Sequence, residues 1–114
     1  VLIVDDDETV RRLVARILNG CDVRSAADGV EGLECVRRES FDLVILDLAM
    51  PRMGGLELLQ LARQENPKLY VAVFTGNGDP ETLRRAEQLG ARVCLTKPFT
   101  LDQLADVVAR TKEG

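Results

Sequence analysis

The stretch FDLVILDLAMPRMGGLELL, residues 41–59, decides how the whole chain reads. Its centre, Leu43–Leu46, is apolar at every position and ends directly on a carboxylate, Asp47. A strand with one wet face alternates between apolar and polar residues. A strand apolar throughout is covered on both faces, as in a parallel sheet between helix layers. Val1–Val4 has the same character and runs into Asp5, Asp6 and Asp7. Two further runs, Leu69–Phe74 and Arg92–Leu95, lead into Thr75-Gly76 and Thr96-Lys97-Pro98. A weaker run, Cys21–Arg24, contains Arg24 and reads as an edge strand.

Segments of helical period separate these runs. Val10, Leu13, Val14, Ile17 and Leu18 recur at the i, i+3, i+4, i+7 spacing of one helix face. Similar stripes are formed by Val30, Leu33 and Val36, by Leu56, Leu59, Leu61 and Ala62, by Leu83, Ala86 and Leu89, and by Leu101, Leu104, Val107 and Val108. Gly20 and Gly90 stand where left-handed residues end helices. Asp79-Pro80 places a cap before a proline at the first helical position. Thr100 and Gln103 have the spacing of a capping box. Five strands alternating with five helices predict an α/β fold, a flavodoxin-like three-layer αβα sandwich of (βα)5 type. Its five-stranded parallel sheet should have the order 2-1-3-4-5.

Bulk composition narrows the function. At 114 residues the chain makes one domain, 1–114, and because it opens within a strand without Met it reads as an excerpt of a longer protein. A hydrophobic content of 46% with only 4% aromatic residues requires an aliphatic core. A net charge of -4 without a basic stripe argues against direct nucleic-acid binding. No apolar run reaches the roughly 18 residues of a membrane span, and no signal segment opens the chain, so a cytoplasmic location is expected. Three scattered cysteines and no histidine leave no zinc set, and reduced, partly buried thiols are expected.

In a parallel sheet of that order, the polar residues after strands one, three, four and five meet at one edge. Strands one and three are neighbours, so two or more of Asp5, Asp6 and Asp7 face Asp47 across a crevice. Two carboxylates about 5 Å apart repel by roughly 3 kcal/mol at an effective dielectric near 20. Lys97 and a bound divalent cation would compensate, and an oxygen-only donor set favours Mg²⁺ or Mn²⁺. The competing reading is that Asp5–Asp7 merely cap the first helix, which suits Asp7 or Glu8 alone. Thr75 adds a hydroxyl and Lys97 an ammonium. Together they make a set suited to moving a phosphoryl group onto Asp47.

Four stretches, VLIVDDDETVRRL (1–13), FDLVILDLAMPRMGGLELL (41–59), VFTGNGDPETLRRAEQLGA (73–91) and TKPFTLDQL (96–104), resemble in order and spacing the receiver domain of two-component response regulators. The resemblance implies that Asp47 is the phosphoacceptor. It implies a metal held by Asp5, Asp6, Asp47 and the backbone carbonyl of Ala49, with Thr75 and Lys97 binding the phosphoryl group. It further implies a cis peptide before Pro98 and influence of Ala49 and Asn77 on the dephosphorylation rate. Phosphate would come from a histidine kinase or histidine phosphotransfer domain. The chain has no histidine of its own, so the donor must lie elsewhere. An effector would read the surface of the fourth helix, fifth strand and fifth helix, and the same helices could support a homodimer. The domain would signal rather than turn over external substrates.

Two departures from the family pattern stand out. The switch aromatic of strand five is replaced by Cys94, and Gly54-Gly55 stands for the usual Asp-Gly, which should loosen the turn there. A degenerate docking module is a second hypothesis, disfavoured because Asp5, Asp6, Asp47, Thr75 and Lys97 are all chemically competent. A phosphatase with an aspartyl nucleophile is a third. It would want a second acid two residues after the nucleophile, where this chain has Ala49.

Overall fold

A computed structural model describes residues 1–18, 20, 22–48, 54–76, 80–96 and 100–113. Five strands and five helices alternate: β1 (Leu2–Val4), α1 (Glu8–Ile17), β2 (Arg24–Ala26), α2 (Gly29–Arg38), β3 (Val44–Asp47), α3 (Gly55–Glu65), β4 (Val71–Thr75), α4 (Pro80–Gln88), β5 (Val93–Thr96) and α5 (Leu101–Glu113). The sheet order is β2-β1-β3-β4-β5, and every pairing is parallel. The flavodoxin-like expectation is met.

The reason is visible in the side chains. Successive residues of a strand point to opposite faces, and here both faces are dry. Leu2, Val4, Val44, Leu46, Val71 and Val73 join Leu33 of α2 and Leu58, Leu59 and Ala62 of α3 in one cluster. Ile3, Ile45, Ala72 and Phe74 join Val14 and Leu18 from the α1 segment and Leu104 and Val107 of α5 in the other. The runs at β1, β3 and β4 are apolar at every step because they serve two cores at once.

Several sequence expectations need correction. The edge strand is Arg24–Ala26, not Cys21–Arg24, because β1 pairs Leu2 with Arg24 and Val4 with Ala26. Only Ala26 of that strand is buried, so its polar composition hid it. Leu13 is 44% exposed, since it sits at the margin of the stripe centred on Val14. Leu58, omitted from the expected stripe of α3, is buried, while Leu56 and Leu61 are only half-buried. Helix α1 ends at Ile17, with Leu18 donating its N–H to the carbonyl of Val14, which places Gly20 beyond the immediate cap.

Other local signals hold. Gly90 adopts φ 102° just past α4, and Pro80 is the first residue of that helix. The capping box is formed in both directions: Thr100 N–H donates to Gln103 Oε1 at 2.7 Å, and Gln103 N–H to Thr100 Oγ1 at 3.1 Å.

Candidate functional site

The acids sort themselves by the end of β1. Asp5 is fully buried and Asp6 exposed. Asp7 is the N-cap of α1, its Oδ1 accepting from the Thr9 N–H at 2.9 Å. The capping reading is therefore right for Asp7 and does not account for the other two. Asp5 is held from several directions. Its N–H donates to the Ala26 carbonyl at 3.1 Å, and its Oδ1 accepts from the Asp7 N–H at 2.9 Å.

Asp47 is the last residue of β3, paired in register with Phe74, and is 4% exposed. The β1–β3 register sets Val4 beside Leu46, so Asp5 and Asp47 emerge level with one another. One carboxylate oxygen from each of Asp5, Asp6 and Asp47 lies within 4.8 Å of the others. Burial without a cation would be costly for such a group. Three hard oxygen donors at this spacing, with no nitrogen or sulfur ligand grouped with them among the described residues, fit a small divalent cation such as Mg²⁺ or Mn²⁺. Thr75 ends β4 at 4% exposure, on the same edge of the sheet and one strand further along. The neighbouring Leu48 N–H donates to the Phe74 carbonyl at 3.0 Å, closing the β3–β4 seam beside the acids.

Ala49, Asn77, Lys97 and Pro98 lie outside the described residues. Cys94 is half-buried in β5, opposite Val73, and packs on the cluster that contains Ala86 of α4. Burial, and secondarily Glu87, pushes its thiol pKa up. Cys35 is raised likewise, by burial first and then by Glu31 and Glu39. Both thiols are free and half-buried, and Cys21 lies outside the described residues.

Two residues escaped sequence reasoning. Arg11, on α1, turns back so that its Nη1 donates to the backbone carbonyl of Asp5 at 2.5 Å. An arginine one turn into an amphipathic helix carries no sequence sign of such a contact. Gly55 lies so close to the end of β3 that a Cβ there would collide with the Asp47 carbonyl oxygen and stand 2.5 Å from Leu48 Cα. Position 55 therefore admits no side chain unless the end of β3 shifts. Gly54, the N-cap of α3, makes no side-chain cap bond. A polar hollow of about 320 Å³ between the carboxyl ends of α2 and α3, lined in part by Arg37, Phe41 and Glu65, opens at the opposite end of the sheet and is remote from these acids.

A family model of the response regulator receiver domain matches residues 1–109. This chain belongs to that family. Among curated relatives, the receiver domain is 33% identical to sporulation initiation phosphotransferase F of Bacillus subtilis, covering 96% of this chain and 90% of that protein. It is 41% identical to the sensor protein EvgS of Escherichia coli, over 91% of this chain but only 9% of the length of that protein. Among solved structures, a CheY-like receiver domain protein from Methanospirillum hungatei superposes with a TM-score of 0.92 at 31% identity, covering 98% of this chain and 92% of that one. The receiver domain therefore acts in two-component phosphoacceptor signalling. No helix among its described residues is long and apolar enough to cross a membrane.

Proposed function

We propose that Asp47 accepts a phosphoryl group from a phosphohistidine on a separate kinase or phosphotransfer domain, in a reaction that requires Mg²⁺ or Mn²⁺. The observation that carries this reading is the convergence of Asp5, Asp6 and Asp47 within 4.8 Å at the edge where β1, β3 and β4 end. In the step itself, a carboxylate oxygen of Asp47 forms a bond to phosphorus as the donor's N–P bond breaks. The electron pair of that bond stays with the imidazole, which takes up a proton. Because the chain has no histidine, a phosphohistidine donor must lie outside it. A bound divalent cation would neutralise phosphoryl oxygens as charge shifts between them.

This chain's own groups divide the remaining work. Asp5 and Asp6 would hold the cation together with Asp47 and the Ala49 carbonyl. Burial of Asp47 keeps bulk water from the carboxylate and favours transfer from a docked donor. The Thr75 hydroxyl and the Lys97 ammonium would bind phosphoryl oxygens, Pro98 would orient Lys97 through a cis peptide, and Ala49 and Asn77 would tune hydrolysis. The product carries nearly two negative charges, in place of the single charge of the carboxylate, at the ends of β3 and β4. Drawing Thr75 and Lys97 toward them would shift the surface of α4, β5 and α5, where an effector domain or second copy would bind. We propose that residues 1–114 form one receiver unit that works in the cytoplasm.

Incubation with acetyl phosphate and Mg²⁺ should raise the intact mass by one phosphoryl group. The gain should vanish with EDTA and with Asp47→Asn. An unmodified parent protein, or an Asp47→Asn variant labelled as well as the parent, would sink the proposal.

A further inference from the structure

We propose that Gly55 is a positioning residue for the acceptor and its metal site, setting the backbone that leads from Asp47 to Ala49. The inference rests on the cation-binding reading above and deepens it. Its basis is that Gly55 meets two successive peptides of that backbone. A Cβ on Gly55 would collide with the Asp47 carbonyl oxygen and lie 3.1 Å from the carbonyl carbon of the same residue. The Gly55 N–H in turn donates to the Leu48 carbonyl at 3.3 Å. The first of these peptides joins Asp47 to Leu48, and the second joins Leu48 to Ala49.

Both flanks of this contact are held, so a disturbance falls on the site itself. Helix α3 is anchored one turn further on by Leu58 and Leu59, which are buried in the core, and the Leu58 N–H donates to the Gly54 carbonyl at 3.0 Å. Strand β3 is paired on both sides, with β1 up to Leu46 and with β4 up to Asp47. An added carbon at position 55 must therefore displace the short piece between these anchors, Asp47-Leu48 and the residue that follows. At 3.3 Å the bond from Gly55 to Leu48 is already long, and a small displacement breaks it. The buried Asp47 carboxylate and the proposed ligand carbonyl of Ala49 both leave from this piece. A metal site holds its ligands to within about 0.5 Å of the productive geometry. Gly54 has no comparable part, since a Cβ there meets nothing within 4 Å.

The test is calorimetric titration of Mg²⁺ into the parent protein, Gly55→Ala, Gly54→Ala and Leu69→Ala, with urea unfolding of each. Outer-shell supports of metal ligands typically contribute about tenfold or more to affinity. Gly55→Ala should therefore raise the Mg²⁺ Kd about tenfold, and raise the half-saturating Mg²⁺ concentration in acetyl phosphate labelling by the same factor. Gly54→Ala should leave the Kd unchanged. Leu69 is buried just ahead of β4, at the far end of the sheet, so Leu69→Ala should lose stability and keep the parent's Kd. Coupling between a ligand and a contact is reciprocal. Mg²⁺ should therefore tighten the bond from Gly55 to Leu48 in the parent and move the Gly55 amide proton downfield in its NMR spectrum, a reading that decides the matter should Gly55→Ala fail to fold. A Gly55→Ala Kd equal to the parent's, a loss no larger than that of Gly54→Ala or Leu69→Ala, or a Gly55 amide proton unmoved by Mg²⁺ would overturn the inference alone. A parent protein that binds no Mg²⁺ would overturn the site reading and the inference with it.

Discussion

At the scale of single residues, a strand end can be read for chemistry only where burial and position agree. Asp47 was legible because a carboxylate following four apolar residues has no ordinary reason to be there. Asp7 was ambiguous in sequence, since helix caps and metal ligands draw on the same side chain, and only its bond to the Thr9 N–H separates the two. Gly55 gave no sign in sequence of how closely it lies against β3. The structure instead sets it against the backbone of Asp47 and Leu48. Those atoms belong to a central strand and cannot yield cheaply. Gly55→Ala should therefore cost about 2–3 kcal/mol, as overpacking does, measured by urea unfolding. Gly54 has open space where a Cβ would go and caps α3 without a side-chain bond. Gly54→Asp should gain a few tenths of a kcal/mol in the same assay, and a destabilised Gly54→Asp would contradict this account of the turn.

At the scale of elements, the strongest signals were those with a local cause. Apolar continuity marked β1, β3 and β4, and the reciprocal bonds of Thr100 and Gln103 marked the start of α5. Strand β2 was misplaced because its identity comes from pairing with β1, which is a tertiary fact. Long-range side-chain ties were also invisible. Arg63 of α3 donates from Nη1 to the Pro67 carbonyl at 2.8 Å and from Nη2 to the Gly90 carbonyl at 2.6 Å, joining the end of α3 to the α4–β5 turn. Burial, and secondarily the repulsion of Arg92, pulls its pKa down. Arg92 itself lies 5.1 Å over the ring of Tyr70. Loss of hydrogen bonds from a charged donor should make Arg63→Ala cost about 1–3 kcal/mol. Gly90→Ala should also destabilise, from its positive φ and from contact with the Arg63 guanidinium. The double variant should be less unstable than the sum of the two, because only the φ strain remains once Arg63 is gone. Strict additivity in a double-mutant cycle would show that Arg63 does not rest on Gly90.

At the scale of the molecule, two separate cores lie on the faces of one sheet, and the acids gather where its central strands stop. Fold and site were legible together for one reason: a doubly wound parallel sheet brings the carboxyl ends of its strands to a single edge. What sequence could not supply was the support around that edge, namely the reach of Arg11 and the approach of Gly55. The proposed site also predicts a global property. A ligand that binds only the folded state stabilises it by mass action, by about 2.7 kcal/mol at a hundredfold excess over Kd. Mg²⁺ should then raise the melting midpoint by on the order of 10 °C for a domain of this size, and EDTA should reverse the shift. Asp5→Asn should melt at the same temperature with and without Mg²⁺. An equal Mg²⁺ response in that variant would place the cation elsewhere.

The bond from the Leu48 N–H to the Phe74 carbonyl has a bearing on how this domain can be watched at work. It is the rung of the β3–β4 ladder next to Asp47, and it closes the seam between the proposed acceptor strand and the strand that carries Thr75. The hydrogen on that nitrogen can exchange with solvent deuterium only when the seam opens. Leu48 thus carries a built-in clock for the breathing of the site, one that runs whether or not a phosphoryl group has arrived.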